Sequence, residues 1–301
     1  MKTFNIRSRA LRLIALALTA LFFFYCSDKP SDCFTWKTEI NGSTFYLTGS
    51  IHLAKEENYP LQKPYMKSYK KADKVILELE SNIEELAQQI FEYGEKDRLE
   101  EGQYLNLHLK PETVEKLKEI IYEDELKNYF RHEGWMLNMA IAGAKAKLLG
   151  YDPKLALDMY FNGLARKDGK EVIGLDDIKT QMLLFDFEAP LEAQVAVIEN
   201  AVARMEESAK MEEPLYRAYF GNDYKKFEAE FLKIYDFNNP QIKQAYDLLF
   251  TKRNASWAGK LEKLAEGKPA TYFVLVGAGH FFGPDNVREL LEQKGHKVEK
   301  I

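Results

Sequence analysis

Five histidines are spread over the 301 residues (His52, His108, His132, His280 and His296), and two of them stand in matching surroundings. Gly49-Ser50-Ile51-His52 follows a β-rich run ending at Thr48, and Gly277-Ala278-Gly279-His280 follows another ending at Val276. Glycine lets a chain leave a strand with backbone angles that other residues avoid, so each imidazole falls just past a strand's carboxyl end. A third run, Val75-Ile76-Leu77-Glu78-Leu79-Glu80, carries carboxylates at its own end. Alternation places Ile76, Glu78 and Glu80 on one face and Val75, Leu77 and Leu79 on the other. Ligands of open α/β sheets collect outside the carboxyl ends of the strands. Two imidazoles and a carboxylate there suit a divalent transition metal with open positions, which makes His52, His280 and Glu78 the candidate ligands. The three strands must then run the same way and lie close together. His108, His132 and His296 have no such context and are expected elsewhere. The bland alternative is a chance recurrence of Gly-x-x-His beside a surface glutamate.

A second clue lies in the segment from Pro240 to Gly267, expected to form one helix. Ile242, Tyr246, Leu249, Trp257, Leu261 and Leu264 make its apolar stripe, and Arg253 falls on that stripe. An arginine facing a core needs a carboxylate or a bound anion, because an unpaired buried charge is costly; otherwise its stem snorkels past its neighbours. Asn254 beside it offers both a donor and an acceptor.

The elements that must position these residues can be read from the pattern. Phe34–Ile40 and Ser43–Thr48 flank Asn41-Gly42, a hairpin with a type I′ turn. Val75–Leu79, Thr271–Val276 and a short Lys297–Ile301 read as further strands, with Glu171-Val172-Ile173-Gly174 as a candidate extra one. Helices are expected over Pro60–Ala72 and Pro284–Lys294. Residues 83 to 267 are helical in pattern: Leu191, Val195, Ile198, Val202 and Met205 make an amphipathic face, and Trp135–Leu149 reads as a buried helix. Strands at the two chain ends most simply share one sheet. The expectation is an α+β (α/β-like) domain over residues 34–301, its central mixed β-sheet built from N- and C-terminal segments, with a large helical insertion.

With 42 Lys+Arg against 47 Asp+Glu the net charge is −5, which argues against a general nucleic-acid binder. The first 26 residues differ from the rest: Lys2, Arg7, Arg9 and Arg12, then an apolar run from Leu13 to Tyr25, then Cys26. That order reads as a lipoprotein-like signal peptide with Cys26 as the lipidation site, and residues 27–33 as a polar tether. Phe22-Phe23-Phe24-Tyr25 departs from the small residues usual before such a cysteine. Cys33 is read as free; a bridge to Cys26 would close only a short loop. Cleavage before Cys26 removes four positive charges and leaves −9, so an acyl chain rather than charge would hold the body at a membrane.

Taken together, these residues resemble the TraB/PrgY/GumN family, which includes the Tiki-like proteases. The resemblance spans nearly the whole mature chain. It rests on Gly49-Ser50-Ile51-His52, Ala72-Asp73-Lys74-Val75-Ile76-Leu77-Glu78, Arg253-Asn254 with Trp257, and Val276-Gly277-Ala278-Gly279-His280, in that order. Leu157-Asp158 and Gly174-Leu175-Asp176 with Gln181 also match family segments, although Asp176 stands where glutamate is commoner and Phe281 where leucine often follows the second histidine. The resemblance implies a central sheet with flanking helices and an envelope-anchored, metal-dependent hydrolase acting on peptides or proteins, on the periplasmic or outer face. It also implies His52 and His280 holding a divalent metal (Mn, Co or Zn), Glu78 as ligand or base, and Arg253 and Asn254 steadying an oxyanion or a carboxylate. The rival reading is a protein that sequesters a peptide or haem-like ligand without cleaving it.

Overall fold

The computed structural model describes residues 33–184, 189–235 and 237–301. The segment read as a signal peptide, Cys26 and the expected tether up to residue 32 lie outside them. The strands β1 (Thr35–Ile40), β2 (Ser43–Ser50), β3 (Lys74–Leu77), β4 (Glu171–Gly174), β5 (Thr271–Gly277) and β6 (Val298–Lys300) form one six-stranded sheet in the order β4-β3-β5-β2-β1-β6. β5 is parallel to both β2 and β3, β4 is parallel to β3, and β1 is antiparallel to β2 and β6. This is the mixed sheet from both chain ends that the apolar runs predict. The hairpin turns on Asn41 (φ 47°) and Gly42 (φ 80°), the two left-handed positions of a type I′ turn. β5 is an almost unbroken apolar run because, as a central parallel strand, it is covered on both faces.

Thirteen helices follow in chain order among the described residues: α1 (Lys63–Lys71), α2 (Ile83–Gly94), α3 (Pro111–Ile120), α4 (Glu123–Tyr129), α5 (Gly134–Leu148), α6 (Leu157–Lys167) and α7 (Ile178–Met182), then α8 (Leu191–Ala203), α9 (Met205–Phe220), α10 (Tyr224–Ile234), α11 (Pro240–Tyr246), α12 (Lys252–Leu264) and α13 (Val287–Gln293). The main core joins the sheet (Phe45, Leu47, Val75, Phe273) to Phe161, Tyr219 and Trp257 on surrounding helices. A second core lies between helices of the insertion, around Leu117, Leu126, Leu137, Ile141 and Ile198. None of the described helices is long and apolar enough to cross a membrane.

Two expectations need correction. The helix over 240–267 is not continuous: a π-helical turn, Asp247–Thr251, separates α11 from α12. Such a turn holds one extra residue and re-aims everything after it, while leaving the four-residue spacing of Leu249, Arg253 and Trp257 intact, so the stripe hides it. The helix at Trp135–Leu149 is not buried all round. Trp135, Met136, Leu137 and Ile141 are buried, but Leu148 is 54% exposed, because α5 serves two separate clusters and ends in solvent.

Candidate functional site

The three neighbouring strands β3, β5 and β2 end side by side, and each delivers one of the expected side chains. His52 lies two residues past β2, Glu78 directly after β3, and His280 in the 3-10 turn Ala278–Phe281 that follows β5. Glu78 Oε1 is 3.9 Å from His52 Nε2 and also 3.9 Å from His280 Nε2. Gly277 lies among the three: a Cβ there would meet Glu78 Oε1 at 3.1 Å and ring atoms of both histidines at 3.6 Å. His108, His132 and His296 are elsewhere, bonded to the Gly102 carbonyl, to Glu95 with the Asn128 carbonyl, and to Glu262.

The far nitrogen of each imidazole is held. His52 Nδ1 donates to Asp158 Oδ2 at 3.2 Å, from the first turn of α6. His280 lies against Trp257 (4.2 Å between ring centres) and Phe250 (5.0 Å). Its Nε2 is 3.2 Å from Arg253 Nη1, and arginine can only donate, so that nitrogen accepts. Nδ1 therefore carries the proton and donates to Asn254 Oδ1 at 2.6 Å, while Asn254 Nδ2 donates to the Asp285 carbonyl. Asn254 is wholly buried with both ends of its amide engaged, which makes it a holder of His280.

Arg253 is buried, and its need for carboxylates is met twice. Nη2 donates to Glu78 Oε2, and Nε donates to Asp176 Oδ2 at 2.8 Å. Nη1 also donates to the Leu249 carbonyl inside the π turn. Trp257 Nε1 anchors the other Asp176 oxygen at 2.7 Å, and Gln181 from α7 donates to both Asp176 and Glu78 at 3.2 Å. The Gly277 N–H completes the set by donating to Glu78 Oε1 at 2.7 Å. The Glu80 side chain takes no part; its backbone carbonyl accepts from Asn162 and Arg166.

These contacts set the protonation states. Burial alone would raise the Glu78 carboxyl, but His280, Arg253 and His52, with the Gly277 N–H, outweigh it and hold it well below the usual carboxylate range. The Asp158 charge, with its hydrogen bond, raises His52 to about 9 against burial and Arg253. Burial lowers His280 to about 3, helped by Arg253 and His52 and opposed by Glu78.

Asp158, Asp176 and Gln181 are the contributors to which no local pattern assigns a role. Asp158 reads as an ordinary acid in a helix's first turn, and only the fold turns it towards His52. Asp158 Oδ1 is buried without a hydrogen-bond partner among the described residues. A cleft of about 450 Å³ opens over this cluster, lined by His52, Glu78, Asp158 and Gln181 on one side and by apolar groups such as Ile90, Met139 and Met182 on the other.

Among the described residues no group of three or more His, Cys, Asp and Glu is gathered as a ready-made metal cage. The donors nonetheless fit a divalent ion by type and direction, with each Nδ1 tied back and each Nε2 close to Glu78 Oε1. Ligand bonds of about 2.0–2.2 Å place neighbouring donors about 3–3.5 Å apart, so the 3.9 Å separations need only a small contraction. The charge fits too: Glu78, Asp158 and Asp176 stand against Arg253 alone once His52 is neutral.

Comparison with known proteins places the chain in a family. The chain is 22% identical over 261 residues to the "Uncharacterized protein YbaP" of Escherichia coli (strain K12), covering 82% of this chain and 87% of that one. It is 22% identical over 260 residues to the protein of that name from Shigella flexneri, with the same coverage. An "Uncharacterized protein" of Treponema pallidum (strain Nichols) is 21% identical over 271 residues, covering 86% of this chain and 80% of that one. No solved structure matches. Residues 34–300 match the TraB/PrgY/gumN family along their whole length, and the chain belongs to that family.

Proposed function

We propose that this protein is a metal-dependent hydrolase of peptides or proteins, anchored at the bacterial envelope through Cys26. The observation that carries the reading is the pair of imidazoles whose Nε2 atoms both lie 3.9 Å from one glutamate oxygen, each with its other nitrogen fixed. His52, His280 and Glu78 would hold the ion, a divalent transition metal such as Mn, Co or Zn. When bound, it would supply Lewis acidity, lowering the pKa of a water and polarising a carbonyl.

The chain's own groups divide the remaining work. Arg253 and the Gly277 N–H keep Glu78 ionised, which suits a ligand better than a base, because so weak a base takes a proton poorly near neutral pH. Asp158 orients His52, and its unpartnered Oδ1 is an acceptor for a proton or a substrate N–H. Asn254 fixes the tautomer of His280 and leaves Nε2 its lone pair. Arg253 now occupies that lone pair, so an arriving ion would confine the guanidinium to Glu78 and Asp176. The apolar wall of the cleft limits water around a bound chain.

Metal analysis of the purified protein, followed by a peptide-library digest with and without chelator, tests this. About one equivalent of metal and cleavage abolished by chelator are expected. Tight peptide or haem binding without cleavage would favour sequestration, and neither metal nor binding would end both readings.

A further inference from the structure

The cleft does not stop at the residues around Glu78. A second cavity of about 350 Å³ adjoins it, and Ala87, Ile90 and Met139 line both. The two form one groove between α2 and α5, with the half-exposed Phe91 on its rim. Trp135, on α5, closes the far end. It is 93% buried, since its relative exposure is 7%, and its ring stands edge-on to Tyr93 at 6.0 Å. Its indole N–H is buried and has no hydrogen-bond partner among the described residues. Buried donors are nearly always satisfied, and an indole can only donate. The groove therefore offers largely apolar walls, with Glu125 and Asn128 the polar side chains on the far cavity, a carboxylate–imidazole cluster at one end and the unpaired indole donor at the other.

We propose that this groove is a substrate subsite for an extended apolar peptide segment, whose backbone carbonyl accepts the Trp135 N–H once a small turn of the buried indole presents it to the groove. The inference rests on the peptide-hydrolase reading and adds to it a substrate class and a specificity-determining residue. Trp135 and Met139 are one helical turn apart, about 6 Å. A round cavity of about 450 Å³ is about 9.5 Å across, and an extended chain advances about 3.3 Å per residue. The carbonyl thus belongs about four to five residues from the bond beside Glu78. Met139, Met159 and Met182, with their unbranched and polarisable side chains, fit varied apolar residues in between. An acyl chain matches the walls, but its only acceptors sit on the terminal carboxylate, whose charge is costly to bury between them.

The chain contains three tryptophans, Trp36, Trp135 and Trp257, which makes fluorine NMR of the full-length protein in mild detergent selective. With 5-fluorotryptophan incorporated, single Trp→Phe variants assign the lines. The wild-type chain is then titrated with a capped hexapeptide of Leu, Met and Ala, a capped Gly-Ser hexapeptide, and hexanoate. The apolar peptide should shift the Trp135 line saturably and disturb Trp257, which holds Asp176 under the cluster. Trp36, on β1, should stay fixed. Gly-Ser peptide and hexanoate should leave Trp135 in place. Where the apolar peptide is cleaved, Trp135→Phe should raise its KM about tenfold and change kcat less. A Trp135 line unmoved by the apolar peptide, whether or not that peptide is cleaved, overturns the proposal, as does a line moved by hexanoate alone. A shifted line with no peptide cleaved leaves the subsite standing and removes the hydrolase.

Discussion

Arg253 makes four contacts at once: Glu78, Asp176, His280 and the Leu249 carbonyl. A lysine brings a point charge and cannot reproduce the planar fork. Arg253→Lys should therefore cut peptide hydrolysis on the order of 100-fold and lower the melting temperature by roughly 5 °C, as expected for about 2 kcal/mol in a chain of this size. Gly277→Ala makes the converse case. Its φ of −49° suits any residue, so the backbone is not strained. The added Cβ would press on Glu78 Oε1, however, and metal affinity should fall at least about tenfold while stability changes by less than about 1 kcal/mol. Calorimetric metal titration beside thermal melts measures both. The histidines predict opposite pH slopes in the metal-free protein. His52 is raised to about 9, so its pairing with Asp158 stabilises the fold below about 6.5 and is lost as pH climbs through 9. Solvent screening reduces the size of this effect, because the His52 side chain is 60% exposed. His280, lowered to about 3, is neutral in the fold; that stability is present above about 6.5 and lost as pH falls towards 3. Urea melts of wild type, His52→Gln and His280→Gln across pH 4 to 9.5 should show each variant removing one slope.

At the scale of elements, the π turn Asp247–Thr251 is a positioning device: it sends Phe250 to His280 and presents the Leu249 carbonyl to Arg253. Inserting one alanine after Thr251 should rotate α12 by about 100° relative to α11. Hydrolysis should then disappear with most helical signal retained in circular dichroism, whereas Thr251→Ala should keep the activity. Sequence could not announce this turn, because π turns have no residue signature and the apolar spacing survives them. The strand ends that carry His52 and His280 were legible for a physical reason: Gly-x-x-His after an apolar run encodes both the exit and the side chain. Asp158 and Asp176 were marked only as parts of family-like segments, without partners, because a carboxylate's partner is fixed by how α6 and the β4–α7 connection pack, and that is a non-local outcome. Arg253 lay between these cases. Its stripe position demanded a carboxylate without saying which.

On the scale of the whole molecule, the chain's acidity bears on the proposed anchoring through Cys26. The body would carry −9 after signal removal, so salt should not release it. Cell fractionation of a Cys26→Ser variant should move the protein from the membrane to the soluble fraction, with loss of the mass of an acyl chain. Retention and mass unchanged from wild type would reject lipidation.

The strand order has a further consequence, concerning time rather than position. β2 and β3 never touch; β5 lies between them, and Thr44 must find Thr271 across nearly the whole chain. Such distant parallel pairing is the slow kind of folding step. A growing or still-threading polypeptide thus carries His52 and Glu78 far from their final neighbours, with no His280 beside them. The cluster comes into being only when the last strands dock, so a chain exported as proposed would finish synthesis and threading before it could capture an ion or attack a peptide bond.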